Sequence, residues 1–347
     1  MFHYGHLDEG PSYCGPHSIV FSTGGTAYLL GFNQLLAIDP QGNIIFINEF
    51  NGGALNPEGT FSDMIDISKN NNDIWEVTSD FYGYLSILTI SNSQNNFVTQ
   101  TTTDFYESTS VKVSPSADIG WAGGLSSTSN TMLEALNVSG QTLTSFTVPG
   151  NPTSYSGWIF NVVKIAISPI NGTVCAWSPG YLSGYSFTGL VYEPYPVNIL
   201  ESFSPYIIGC GTNEKWIVVN PITNDIWMGN PATTTVLALS PNDAVKFHKN
   251  LDIYVSTMAV SPKTENVWIG SNNKIDVLDP YGSLIKQLTF KNLRCITYIA
   301  ISPLNDTVWV GNETNTYSTD KNIFILVDNG NIINSFHVPV ACFGPMV

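Results

Sequence analysis

SPLNDTVWVG, residues 302–311, has four clear copies elsewhere in the chain: SPKTENVWIG from Ser261, NPITNDIWMG from Asn220, SPSADIGWAG from Ser114 and SKNNNDIWEV from Ser68. All five place tryptophan at the eighth position, as Trp309, Trp268, Trp227, Trp121 and Trp75. Two degenerate copies complete the set. SPINGTVCAW from Ser168 carries Cys175 in the tryptophan slot, and STGGTAYLLG from Ser22 carries Leu29 there. The seven starts, near 22, 68, 114, 168, 220, 261 and 302, are 41–54 residues apart.

The same local order surrounds each copy. An alternating apolar run precedes the motif, such as ITYIAI at 296–301 or IYVSTMAV at 253–260. The Ser-Pro-x-x-Asn/Asp cluster is turn chemistry: proline presets φ, and Asn or Asp binds its own backbone and tolerates left-handed φ. A second strand carries the tryptophan. A third follows, such as KIDVLDP at 274–280, then a glycine turn and a fourth strand, such as LIKQLTF at 284–290. No segment has a 3.6-residue apolar period long enough for a helix. Four antiparallel strands per unit, repeated seven times, predict an all-β chain folded as a seven-bladed β-propeller, one domain over residues 1–347. Residues 1–15 and 339–347 fall outside the repeat and are expected to help close the ring.

The pattern I-A-I-S-P-x-x-x-x-V-W-V-G…I-x-V-x-D…G resembles the YVTN-type propeller repeat of archaeal and bacterial surface proteins. It is similar also to NHL and two-component-regulator propeller repeats, and loosely to the Asp-box, whose fixed Asp and Gly most copies lack. The resemblance covers nearly the whole chain and implies the fold. Propellers serve as lactonases, lyases, scaffolds and adhesins, so the fold assigns no activity.

Composition narrows the setting. Charged residues are 11 % of the chain against about 25 % in an ordinary soluble protein. The chain holds 34 Asn, 34 Ser and 31 Thr, a single arginine, Arg294, and a net charge of -15. A nucleic-acid groove needs clustered Lys and Arg to displace counterions, so no nucleic-acid partner is expected. No run of ~18 apolar residues predicts membrane insertion. The opening MFHYGHLDEGPSYCGP has neither the basic nor the apolar region of a secretory signal. Yet the chain is polar but uncharged, with Asn-x-Ser/Thr sequons at Asn137, Asn171, Asn305 and Asn312. An exterior composition without a signal suits an extracellular surface or virion location, as a component of a larger particle; a cytoplasmic location is the alternative. With so few ionisable groups, stability is expected to change less with pH than in an average protein.

Candidate chemistry is sparse. The five cysteines, Cys14, Cys175, Cys210, Cys295 and Cys342, contain no CxxC pair, so no zinc site is expected. Cys14 precedes the first unit and Cys342 follows the last, and a circular fold brings its ends together, so a Cys14–Cys342 disulfide is expected at the seam. His3 and His6 stand near Asp8 and Glu9 in a Gly/Pro-flanked tail. His17, His248 and His337 have no nucleophile beside them in a known motif. GYLSG at 180–184 has the wrong spacing for a nucleophile elbow, and there is no P-loop or HExxH. NNND at 70–73 has the oxygens of a Ca²⁺ loop but the position of a turn. The repeated tryptophans are read as packing between blades. Among carboxylates, Asp63 and Asp66 are expected in one inner strand, with Glu107 and Asp252 at the starts of others. Lactonase-like propellers resemble this in gathering a Glu/Asp/Asn metal cage from several blades.

Residues 151–210 form the most distinctive segment. Tyr155, Trp158, Tyr181, Tyr185, Phe187, Tyr192, Tyr195 and Tyr206 are spaced among Gly, Ser and Pro, the composition of a recognition loop. The expected contact residues are Tyr155, Tyr181, Tyr185, Tyr192 and Tyr195. With one arginine the chain has little to hold a phosphate, so the expected partner is a protein or a neutral glycan. The sequence therefore points to a non-enzymatic recognition or structural propeller displayed on a virion or cell surface for attachment to a host glycan or protein, with no catalytic residue, metal or cofactor expected. The alternative is a metal-dependent propeller hydrolase or lyase with its site in the central channel.

Overall fold

Tight turns come first, because they set where each strand reverses. In the turn joining first and second strands, the side chain of the leading Ser or Asn accepts hydrogen bonds from the N–H groups two and three residues on. Ser68, Ser168, Asn220 and Ser261 all do this, at 2.8–3.4 Å. Asparagine at the fourth position accepts from the sixth N–H, as in Asn71 to Asp73, Asn171 to Thr173 and Asn305 to Thr307. The fifth residue is left-handed: Asn72, Asn224, Glu265 and Asp306 lie at φ 60 to 66°, and Gly172 at 72°. Asn and Asp are the non-glycine residues that visit this region most readily, which is why the repeat keeps them there.

The computed structural model describes residues 13–14, 18–30, 34–49, 65–79, 86–92, 97–103, 105–126, 130–149, 153–155, 158–160, 163–178, 181–186, 189–196, 217–229, 234–242, 244–291, 293, 296–312, 314–315 and 322–337. Among them there is no helix. Seven four-stranded antiparallel sheets follow one another in sequence, spanning 18–49, 65–102, 105–147, 164–196, 217–250, 257–289 and 296–336. These are blades 1 to 7 of a β-propeller, and their strand neighbours are sequential, save that the short strand Thr314–Asn315 falls between the second and third strands of blade 7. The first strands, Ser18–Phe21, Ile65–Ile67, Phe105–Val113, Lys164–Ile167, Ile217–Val219, Thr257–Val260 and Ile296–Ile301, each contact the first strand of the next blade. The cycle closes, because Ser18–Phe21 also contacts Ile296–Ile301. Every blade is made from one continuous stretch of chain. Among the described residues the ring is therefore closed by packing rather than by a blade strand lent from one end to the other. Tyr13–Cys14 adds a short antiparallel ribbon with Thr314–Asn315, tying the start of the chain to the last blade. Residues 339–347 lie outside the described set.

Between successive blades sits an apolar layer, and the tryptophan slot fills it. Trp75 packs with Phe105, Val111 and Ala122 of the next blade, Trp121 with Val163 and Ile165, and Trp227 with Leu251, Ile253 and Met258. Trp268 packs with Ile296, Ile299 and Val308, and Trp309 crosses the seam to Ile19, Phe21 and Leu36 of blade 1. All five are buried. Cys175 occupies the slot in blade 4, opposite Ala166, and faces Ile217 and Met228.

Blade 1 corrects the sequence reading. Its slot holds Tyr28 rather than Leu29. Tyr28 pairs with Val20, two residues before the turn, as Trp309 pairs with Ala300. The turn is one residue shorter here: Ser22 N–H bonds Thr26 O, whereas Ser302 N–H bonds Thr307 O. Tyr28 accordingly packs toward Ile65, Ile67 and Ile74 of blade 2, and Leu29 faces blade 7. A second correction concerns blade 6, whose first strand is Thr257–Val260; residues 253–256, expected in that strand, belong to the connection before it.

The same turns reach across to their neighbours. Ser68 Oγ donates to Asp118 Oδ1 at 2.7 Å, Ser261 Oγ to Asp306 Oδ1 at 2.8 Å, and Asn220 Nδ2 to Glu265 Oε2 at 3.1 Å. In each case the first residue of one turn meets the fifth residue of the next. Asp306→Ala should lower stability by about 2–3 kcal/mol, since it removes a hydrogen bond to a charged acceptor and puts an alanine Cβ in left-handed backbone. Asp306→Asn should cost under ~1 kcal/mol because it keeps both an acceptor and the backbone tolerance. Urea denaturation of both variants measures this; an unperturbed alanine variant would remove the cross-blade bond from the account.

Candidate functional site

Two places are open to function in such a ring: the central channel and the two ends. First strands line the channel, and each presents an unpaired backbone edge there. Neighbouring blades cover part of that edge. Val113 N–H donates to Asp66 Oδ2 at 2.7 Å, Ile165 N–H to Ser110 Oγ at 3.3 Å, and Ile299 N–H to Thr257 Oγ1 at 3.2 Å. Asp66, expected as a channel acid, is thus engaged as an acceptor for the next blade. Asp63 lies outside the described residues. Glu107 lies in the first strand of blade 3, opposite Leu125, and its side chain is outside the described set. Asp252 is exposed in the connection before blade 6 and close enough to Asp276 of the third strand to raise its pKa. Among the described residues, no three of His, Cys, Asp and Glu come together in a way that fits a metal ion.

The 70–73 segment behaves as a turn. Asn71 Nδ2 donates to Asp73 Oδ2 at 2.6 Å, and Thr23 N–H and Oγ1 both donate to Asn72 Oδ1 across the blade 1–2 junction. His248 is exposed on the outermost strand of blade 5, and His337 is half-buried just after the last strand. His3, His6, Asp8, Glu9 and His17 lie outside the described residues. Cys14 stands opposite Thr314 with its side chain undescribed, and Cys342 lies outside the described set, so the expected disulfide falls beyond it too.

Strand order distinguishes the two ends. Turns between first and second strands and between third and fourth strands fall at one end, the tight-turn end. Second-to-third connections and those between blades fall at the other, the loop end. The longer connections, 50–64, 148–163 and 197–216, belong to the loop end. The last two flank blade 4, within the tyrosine-rich segment.

The five expected tyrosines divide. Tyr155 lies in a small hairpin, Thr153–Tyr155 with Trp158–Phe160, inside the connection between blades 3 and 4. Tyr181 opens the third strand of blade 4 at the loop end, half-buried, with Ser178 on one side and Pro196 on the other. Tyr195 closes the fourth strand at the same end, opposite Leu182. Tyr192 is further along that outermost strand, opposite Gly184. The side chains of Tyr155, Tyr192 and Tyr195 are outside the described set. Tyr185 departs from expectation. It is only 2 % exposed and sits between blades 3 and 4, its ring 5.2 Å from Phe146, which stacks on Trp121 at 6.4 Å. Burial raises its pKa. Register explains this: Tyr185 is four residues from Tyr181, on the packed part of the strand. A residue the sequence reading passed over, Tyr254, stands 42 % exposed in the connection before blade 6, beside Asp252. Its signal was the alternation of 251–255, where Leu251, Ile253 and Val255 are buried and Asp252 and Tyr254 are not.

Blade 2 holds an ionisable group in an apolar setting. Glu76 lies in the second strand between Ile65 and Thr89, buried, and its Oε1 has no hydrogen-bond partner among the described residues. Burial pushes its pKa from 4.5 up to about 8. Asp276, also raised by burial, is partly offset by the Gln287 amide at 2.9 Å. The sign follows directly. A folded state that keeps a proton the unfolded chain releases loses stability as pH rises between the two pKa values. Stability should therefore fall from pH 4.5 toward pH 8, against the weak dependence expected from the low charge. Thermal melts across that range measure it. Glu76→Gln should flatten the profile and raise the melting temperature at pH 8; an identical profile in the variant would show that Glu76 does not set it.

Set against known proteins, the chain matches no family model and no curated protein sequence. The seven-bladed propeller stands on the structure, and no family model supports the resemblance to the YVTN or NHL repeat.

Proposed function

We propose that this protein is a non-enzymatic recognition propeller displayed on a particle or cell surface, which holds a protein or neutral glycan at the loop end of blades 3 and 4. The observation that carries the reading is the grouping of Tyr155, Tyr181 and Tyr195 at strand ends of one pole, next to the longest connections. Tyrosine offers a rigid ring and a hydroxyl at small entropy cost, and dominates contact surfaces for that reason. Two further features support it. The low charge suits a neutral ligand, and Asp66 in the channel is engaged in holding the ring together. Tyr185 has no part in the contact, because its ring is committed to the blade 3–4 core.

Binding of the purified protein to host cells and to an array of neutral glycans is the test. Tyr181→Ala with Tyr195→Ala should reduce binding tenfold or more and leave the melting temperature within a few degrees of the parent. Tyr185→Ala should instead cost about 3–5 kcal/mol of stability, as removal of a buried aromatic does. Undiminished binding by the double variant would place the contact elsewhere. Hydrolysis of a lactone or glycoside, lost on chelation, would favour the channel-enzyme alternative.

A further inference from the structure

Each blade ends in an outermost strand with one unpaired backbone edge, and natural sheets guard such edges with charge, proline or polar side chains. Six described edges can be compared with that of blade 1. Blade 5, Val245–Asn250, carries Lys246 and Lys249, and blade 6, Leu284–Thr289, carries Lys286. Blade 4, Gly189–Pro196, carries Glu193, Pro194 and Pro196. Blades 2 and 3, Phe97–Thr102 and Thr142–Thr147, are rich in Thr. Blade 7, Ile332–Phe336, has no charge and begins with two isoleucines. Blade 1, Ile44–Glu49, is the most apolar: IIFINE, with its sole charge at the last residue.

Blades 7 and 1 are neighbours at the seam. Ile44, Ile45 and Ile47 of blade 1 and Ile332 and Ile333 of blade 7 are 44–56 % exposed. The rim between them is continuous: Gly42, in the turn leading to Ile44, approaches Asn334 so closely that a Cβ would lie 3.1 Å from its Nδ2. Blades 5 and 6 each bend one lysine onto the next blade's turn, while Lys246 pairs with Asp225 of its own blade. Lys249 Nζ donates to Gly282 O at 2.6 Å, and Lys286 Nζ to Asp328 O at 3.0 Å.

We propose that the outermost strand of blade 1 pairs with the same strand of a second copy of this chain, forming a two-fold dimer through the rim of blades 7 and 1. Three arguments select a second copy. Antiparallel pairing about a two-fold axis through Phe46 sets Ile45 against Ile47 and Ile44 against Asn48 and places no lysine or arginine in the shared sheet, so the strand is complementary to itself. A chain of net charge -15 repels its own copies over most of its surface, and the charge-free runs Ile44–Asn48 and Ile332–Phe336 add nothing to that repulsion. The five isoleucines expose roughly 450 Å² per copy, over half of the ~800 Å² each partner gives to a standard interface, and the paired backbone and flanking side chains supply the rest. The dimer joins rims and leaves the loop end of blades 3 and 4 free, so it is independent of the recognition reading.

Sedimentation equilibrium of the intact chain from 1 to 200 μM tests it. Wild-type protein should show twice the monomer mass, about 76 kDa from a 37.8 kDa chain, at the upper concentrations. Ile45→Lys should raise the dissociation constant at least tenfold, with an unchanged melting temperature to show that the blade is intact. Leu143→Lys, at another exposed aliphatic site on the rim of blade 3, should not alter it. A wild-type monomer throughout, or equal weakening by the blade 3 variant, overturns the proposal. Should Ile45→Lys lower the melting temperature, Ile333→Lys on blade 7 gives the independent reading: a dissociation constant equal to that of the parent also overturns it.

Discussion

A four-stranded blade has two apolar faces, and neither can be buried within the blade. This constraint governs the whole molecule: each sheet is stable only between two others, so the set must close on itself. The tryptophan slot is the chain's answer. In six of the seven units a tryptophan or Tyr28 projects from the second strand into the next blade, with Cys175 in that place in blade 4, and Trp309 does so across the seam as Trp268 does within the series. Because, among the described residues, no blade strand is shared between ends, the blade 7–1 junction depends on the same contacts as the other six. Tyr298 beside Ser18 and the ribbon of Tyr13–Cys14 with Thr314–Asn315 are what it adds.

Closure also divides the labour between the ends. Where first and second strands meet, backbone reversal, the left-handed fifth residue and the bond to the neighbouring blade all fall within one six-residue turn. Little there can vary without loss. Third-to-fourth turns are held as tightly: Gly282, at φ 83°, lies so close to Phe247 of the preceding blade that a Cβ would come within 2.8 Å of its ring. The opposite end has no such demand, and connections there can lengthen. Recognition is placed on that end for a physical reason, since loops held by a rigid ring can change without disturbing it.

Blade number and the packing role of the tryptophans were legible because a repeated residue at a repeated register leaves a period in the sequence. What escaped detection has local causes. Tyr28 was displaced by one because the turn from Ser22 is a residue shorter, and AYLL, buried on both faces, gives no alternation to fix its register. The first strand of blade 6 seemed longer because residues 251–255 alternate like a strand before it. Tyr181 and Tyr185 share composition and neighbours; only the pairing of Tyr185 beside Phe146 and Trp121 reveals that one is core. The burial of Glu76 was invisible for a similar reason, since a lone Glu in an apolar strand reads as solvent-facing until both sheet faces are known to be covered.

The central claim is that seven blades form one closed cooperative unit whose seam is as firm as its other junctions. Native-state hydrogen exchange, read by mass spectrometry on peptides from the first strands, tests it most directly. The account predicts that Ser18–Phe21 and Ile296–Ile301, at the seam, open with the same free energy as Thr257–Val260 and Lys164–Ile167, far from it. Early, independent exchange of blade 1 or blade 7 would contradict it, and would describe an open array of repeats in place of a ring.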